Sequence, residues 1–120
     1  MSDAPFIKAL VDLQLSPQEQ DLYWHHLGNL YGDGKVMQPN GDISTVLQAV
    51  VGGPDGRYYN IPTVWEGKVL SPEEAKQKAI QTGLQRFPAY DSPEQADARY
   101  SDMHKYMEQD TTRYDYTRRK

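Results

Sequence analysis

Hydrophobic positions along this chain switch between helical and strand spacing, and a recurrent serine–proline signal marks where the helices begin. Ser16-Pro17-Gln18-Glu19, Ser71-Pro72-Glu73-Glu74 and Ser92-Pro93-Glu94-Gln95 share the order Ser-Pro-x-Glu/Gln. In such a segment the serine hydroxyl accepts from the N–H at the third helical position, and the Glu or Gln there reaches back to the serine N–H. Proline at the first helical position loses no hydrogen bond and arrives with a helical φ. The signals therefore predict three helix starts. They are not an internal repeat, because the segments that follow them differ.

After the first start, Tyr23, Leu27 and Leu30, flanked by Trp24 and Tyr31, form a broad apolar stripe at helical spacing. This predicts a helix over 17–31, stopped by Gly32 and Gly34. Upstream, Phe6, Ile7, Leu10, Val11 and Leu13 predict a short amphipathic helix, or an arm that packs on something else. The middle reads as β. Pro39-Asn40-Gly41-Asp42 is a turn, and Thr45, Val46, Val50 and Val51 favour a strand over 44–51. Gly52-Gly53-Pro54-Asp55-Gly56 connects it to a second strand over 57–64, in which Pro62 marks an edge or a bend. Glu66-Gly67 turns into a third strand over 68–70, and 35–38 adds a fourth if it pairs across the Asn-Gly turn. A helix over 72–82 follows, its Ala75 and Ala79 face small enough to lie close on a sheet. The last helix, over 93–110, carries the stripe Ala96, Tyr100, Met103 and Met107. The predicted fold class is α+β: an N-terminal helix, a three- to four-stranded antiparallel meander, and two C-terminal helices packed on it.

Composition refines this picture. A chain of 120 residues suits one domain, expected over 16–110 between an N-terminal arm (1–15) and a basic tail (111–120). Two Phe against nine Tyr, at 38% hydrophobic, imply a thin core and much contact surface, since tyrosine favours the rim of a core. The lack of cysteine excludes disulfides, thiolate metal sites and a cysteine nucleophile. No apolar run reaches a membrane span, and the N-terminus lacks the features of a signal peptide, so no membrane partner is expected. Both termini are expected to be disordered in isolation. Four basic residues against Asp115 make the last ten residues +3, which leaves −7 on the rest of a chain of net charge −4. Such an acidic body argues against general nucleic-acid binding and leaves the tail as the one place for it.

Candidate chemistry is sparse. Of the histidines His25, His26 and His104, the adjacent pair points about 100° apart on a helix and does not easily share an ion. No His-Glu-x-x-His or Gly-x-Ser-x-Gly pattern occurs, and the prominent serines are helix caps. His104 reads as a histidine at the rim of the core, and Glu73-Glu74 as acids complementing a helix dipole. No catalytic residue, metal or cofactor is expected. Partner-binding candidates are Phe6, Ile7 and Leu10 in the arm, Tyr58, Tyr59 and Trp65 in the aromatic strand, and Arg113, Tyr114, Tyr116, Arg118 and Arg119 in the tail. The strand reads equally well as an interface or as packing under the helices.

The segment Tyr59-Asn60-Ile61-Pro62-Thr63-Val64-Trp65-Glu66-Gly67-Lys68-Val69-Leu70-Ser71 resembles a small family of proteins encoded by tailed bacteriophages. Asn40-Gly41-Asp42, Phe87-Pro88-Ala89-Tyr90 and the Ala96…Tyr100…His104 helix extend the resemblance over roughly residues 15–110. Similar segments occur alone and within longer virion proteins. The resemblance implies a virion structural or assembly protein, assembled in the host cytoplasm. Its partners would be other virion proteins (capsid, portal or neck, or tail subunits), with a homo-oligomer also open. The alternatives are an early phage protein that inhibits a host enzyme and an accessory to a cell-wall-degrading virion enzyme.

Overall fold

A computed structural model describes residues 4–118. Two helices open the chain, α1 (Pro5–Leu13) and α2 (Pro17–Tyr31). Six short strands follow: β1 (Val36–Met37), β2 (Ile43–Ser44), β3 (Ala49–Gly52), β4 (Tyr58–Ile61), β5 (Val64–Trp65) and β6 (Lys68–Val69). Helix α3 (Pro72–Thr82), a 3₁₀ turn (Leu84–Arg86), β7 (Ala89–Tyr90) and helix α4 (Pro93–Arg118) complete an α+β fold. Both expected capping boxes at α2 and α3 form: Ser16 and Ser71 each exchange two hydrogen bonds with Glu19 and Glu74. At α4, Ser92 Oγ accepts from Gln95 N–H at 3.1 Å, while the Gln95 side chain accepts from Asp91 N–H instead of from Ser92.

The strands make three small antiparallel sheets, β1–β2, β3–β4–β7 and β5–β6, where the sequence predicts one meander. Residues 35–38 do pair across the Asn-Gly turn, Val36 with Ser44 and Met37 with Ile43, and Asn40 Oδ1 caps that turn by accepting from Asp42 N–H. The strand expected over 44–51 is broken. Leu47 adopts a left-handed φ of 45°, and Val46 turns its carbonyl to the N–H groups of Thr63 and Val64. Pro62 splits the strand expected over 57–64, since it has no N–H for the ladder; β4 ends before it and β5 starts after it. The pair Ala89–Tyr90 then serves as the third strand of the central sheet, against Tyr58 and Tyr59.

Two apolar cores result. One joins Ala9, Leu15, Leu22, Tyr23, Val46, Met103 and Met107 among α1, α2 and α4. The other joins Tyr59, Ile61, Ala75, Ala79 and Phe87 between the central sheet and α3. The segment read as an arm therefore belongs to the first core: Ala9 is fully buried, and Tyr106 OH on α4 donates to Asp12 on α1 at 2.9 Å. The last helix also runs past the predicted end near Asp110 to Arg118. No glycine or proline interrupts 93–118 after Pro93, Asp110 is itself buried, and the Tyr114 ring packs on Tyr31. Up to residue 118 the predicted tail is thus helix; Arg119 lies outside the described residues, as does the side chain of Arg118.

Candidate functional site

Polar groups buried on α2 are held by α4 and the broken strand. Tyr23 OH donates to Asp110 Oδ2 at 2.5 Å, and burial together with that carboxylate pushes the phenol well above its usual range. His26 Nδ1 lies 2.6 Å from Thr45 Oγ1, while its Nε2 stands 3.6 Å from Asp110 Oδ2 with no hydrogen-bond partner among the described residues. His25 turns the other way, its Nε2–H donating to the Val64 carbonyl at 2.8 Å; burial outweighs that bond and lowers its pKa. The neighbours thus diverge, as helical geometry requires. One turn below, Glu19 receives Arg99 Nε–H and Tyr90 O–H, each at 2.6 Å on Oε2, and Ser16 N–H on Oε1. Burial works to raise the Glu19 carboxyl, yet these donors hold it below its ordinary value.

Beside this network a cavity of about 550 Å³ opens between 42–48 and α4, with His26, Thr45, Gln48, Tyr100, His104 and Glu108 in its walls. Hydroxyl, imidazole and carboxylate follow one another from Thr45 through His26 to Asp110. The 3.6 Å gap exceeds a hydrogen bond, and Asp110 Oδ2 is already taken by Tyr23. As arranged, the groups tie α2, α4 and the 45–46 segment together. His104 sits on the rim, exposed, with Nδ1 3.3 Å from Glu108 Oε1. Among the described residues no cluster of His, Asp and Glu has metal-binding geometry, and no helix is long and apolar enough to cross a membrane.

The partner-binding candidates separate into several environments. Tyr59 is buried, its OH bound to Asp55 at 2.5 Å, and its place in the sheet-side core removes it from any docking surface. Trp65 is half-buried, donates from Nε1 to the Pro62 carbonyl and packs on Phe87 and His25; Tyr58 is half-buried opposite Gly52 and Tyr90. The aromatic strand is therefore mostly packing, because both faces of β4 are covered. Phe6 and Leu10 are half-buried against the first core, whereas Ile7 is exposed. Arg113 and Tyr116 are exposed and Tyr114 is half-buried.

Sequence reading missed the outer face of α2. Trp24 and Tyr31 appear in the sequence only as flanks of the apolar stripe, yet they are 56% and 62% exposed. Gly28 lies between them on the same helical face. Each ring is seated on a neighbour, Trp24 on Phe6 with centroids 5.0 Å apart and Tyr31 on Tyr114 at 5.6 Å. On α1, Ile7 and Val11 stand one turn apart and are exposed as well. The signal that was available is angular: Trp24 sits about 100° from Tyr23, the centre of the buried stripe.

No protein-family model, curated protein or solved structure matches the chain.

Proposed function

We propose that this chain is a non-enzymatic component of a bacteriophage virion that binds other virion subunits at the capsid surface, the head–tail junction or the tail. One observation carries the binding part of the reading. Large apolar side chains, Ile7, Val11, Trp24 and Tyr31, stand 46% to 68% exposed on the two N-terminal helices. Exposed aromatic side chains of this kind suit a contact surface, since Trp and Tyr are the residues that most often dominate binding energy. The likeness of 59–71 to tailed-phage proteins supports the viral setting.

Quantitative mass spectrometry of purified particles tests it. A copy number near that of the major capsid protein means capsid decoration, and a few copies per hundred mean neck or tail. Absence from particles overturns the virion reading. Presence only in infected cells then favours an inhibitor of a host enzyme, for which a body of charge −7 suits a nucleic-acid-binding surface.

A further inference from the structure

Nothing among the described residues requires Gly28 to be glycine. It lies inside α2, where glycine is the poorest helix former apart from proline. A Cβ built there meets nothing within 4 Å. Gly32, one turn on, is different: its Cβ would stand 2.6 Å from the Gly28 carbonyl oxygen. The bare backbone at Gly28 forms a notch between the exposed rings of Trp24 and Tyr31. Small residues at such a notch let a second helix approach closely.

Charge says which helix fits. Asp21 and Lys35 lie seven residues to either side of Gly28. The Lys35 ammonium donates to the Gly32 carbonyl at 2.8 Å, so it sits at the C-terminal end of α2, while exposed Asp21 sits in its N-terminal half. A second α2 crossing antiparallel at Gly28 brings Asp21 of each copy to Lys35 of the other. A parallel crossing sets like charges together. The antiparallel arrangement also lays Trp24 of one copy against Tyr31 of the other, and a two-fold axis makes every such contact twice.

We infer that a second copy of this chain docks on this face, α2 against α2, antiparallel and crossing at Gly28. The inference rests on reading the outer face of the N-terminal helices as a binding surface, and it names the partner at that surface. Each aromatic ring is already seated, so little side-chain freedom is lost on association. One helix face offers less than the roughly 800 Å² per partner of a standard interface, so the self-association is expected to be weak and not obligate.

The test is sedimentation equilibrium of the full chain from micromolar to several hundred micromolar, with circular dichroism to check folding. The expected result is a monomer–dimer equilibrium. Trp24→Ala weakens it about thirtyfold, as expected of a central aromatic anchor. Gly28→Ala weakens it about tenfold or more while the fold melts higher. Asp21→Lys weakens it, and adding Lys35→Asp restores it. A chain that stays monomeric throughout, or a dimer indifferent to Trp24→Ala and Gly28→Ala, overturns the inference. A monomeric chain that is nonetheless present in particles sinks only the self-docking and leaves the virion reading standing. A dimer absent from particles does the reverse.

Discussion

The helical side and the sheet side of this molecule are held by different physics. Between α1, α2 and α4 the apolar core is threaded by buried polar pairs: Glu19 with Arg99 and Tyr90, Tyr23 with Asp110, His26 with Thr45. Between the central sheet and α3 the core is almost purely apolar, and α3 contributes only the two fully buried alanines, Ala75 and Ala79. Asn60 joins the halves, donating to the Ala96 carbonyl at 2.8 Å and accepting from Gln48 at 2.7 Å. A polar-threaded core fixes register, because each buried group accepts only one arrangement without being left unpaired. A small-faced core fixes distance, because its helix can sit only as far away as a methyl group allows.

Removing one partner from a buried pair gives the largest expected effect. Arg99→Met keeps the length of the side chain but leaves the Glu19 carboxylate, 4% exposed, without its cation. A loss of about 3 kcal/mol is expected, at the lower end for buried pairs because Arg99 is itself partly exposed. Urea denaturation at neutral pH measures it. The same variant alters the acid limb of stability. Glu19 titrates below its ordinary 4.5 in the folded chain, so its contribution is fully present above that pH and is lost as pH falls through the lowered folded value. Arg99→Met should flatten that limb. An unchanged urea midpoint and acid limb would show that the helical side does not depend on this pair.

The sheet side should fail by crowding instead. Ala79 is fully buried under α3, and Ala79→Leu inserts three carbons where the helix meets the sheet. About 2 kcal/mol of destabilisation is expected from forced rotamers and a displaced helix. Hydrogen exchange should show the opening confined to α3 and β3–β4, with α1, α2 and α4 still protected. Opening that spreads equally through both halves would erase the distinction between them.

The two sides also differed in how much the sequence disclosed. The starts of α2, α3 and α4 were legible, since Ser16, Ser71 and Ser92 announce themselves by local chemistry that works within one turn, whereas α1 follows Ala4, which offers no side-chain cap. The small face of α3 was equally plain from Ala75 and Ala79. What local patterns could not disclose were pairings between distant parts of the chain. Arg99 and Glu19 are eighty residues apart, and Tyr23 and Asp110 eighty-seven. Those pairings tie α4 to α2, while buried Ala9 and the Tyr106–Asp12 hydrogen bond make the predicted arm a core helix and the Tyr31–Tyr114 contact accompanies α4 beyond Asp110. Thr45 and Val46 looked like strand by their β-branched side chains, but Val46 spends its carbonyl on Thr63 and Val64 across the break. At the candidate site the order reversed. Of the partner-binding candidates in the first helix only Ile7 is exposed, the Tyr59 and Trp65 strand goes mostly to packing, and Trp24 and Gly28 emerged only once the buried side of α2 was known.

The smallest expected effect comes from two glycines and has opposite signs on the two sides. Gly83 ends α3 with φ of 117°, a conformation that strains any side chain, and its N–H donates to the Ala79 carbonyl. Gly83→Ala should therefore cost about 1 kcal/mol. Gly28 is helical and its Cβ would meet open space, so Gly28→Ala should raise stability by up to about 1 kcal/mol, a few degrees in melting temperature. Paired thermal melts at low protein concentration, where self-association cannot contribute, read both changes together. If Gly28→Ala destabilises the isolated chain, the glycine serves the fold after all. If it stabilises, the chain carries a weakened helix at a place where the packing of the described residues asks for no glycine, and a bare backbone there is what a docking helix requires.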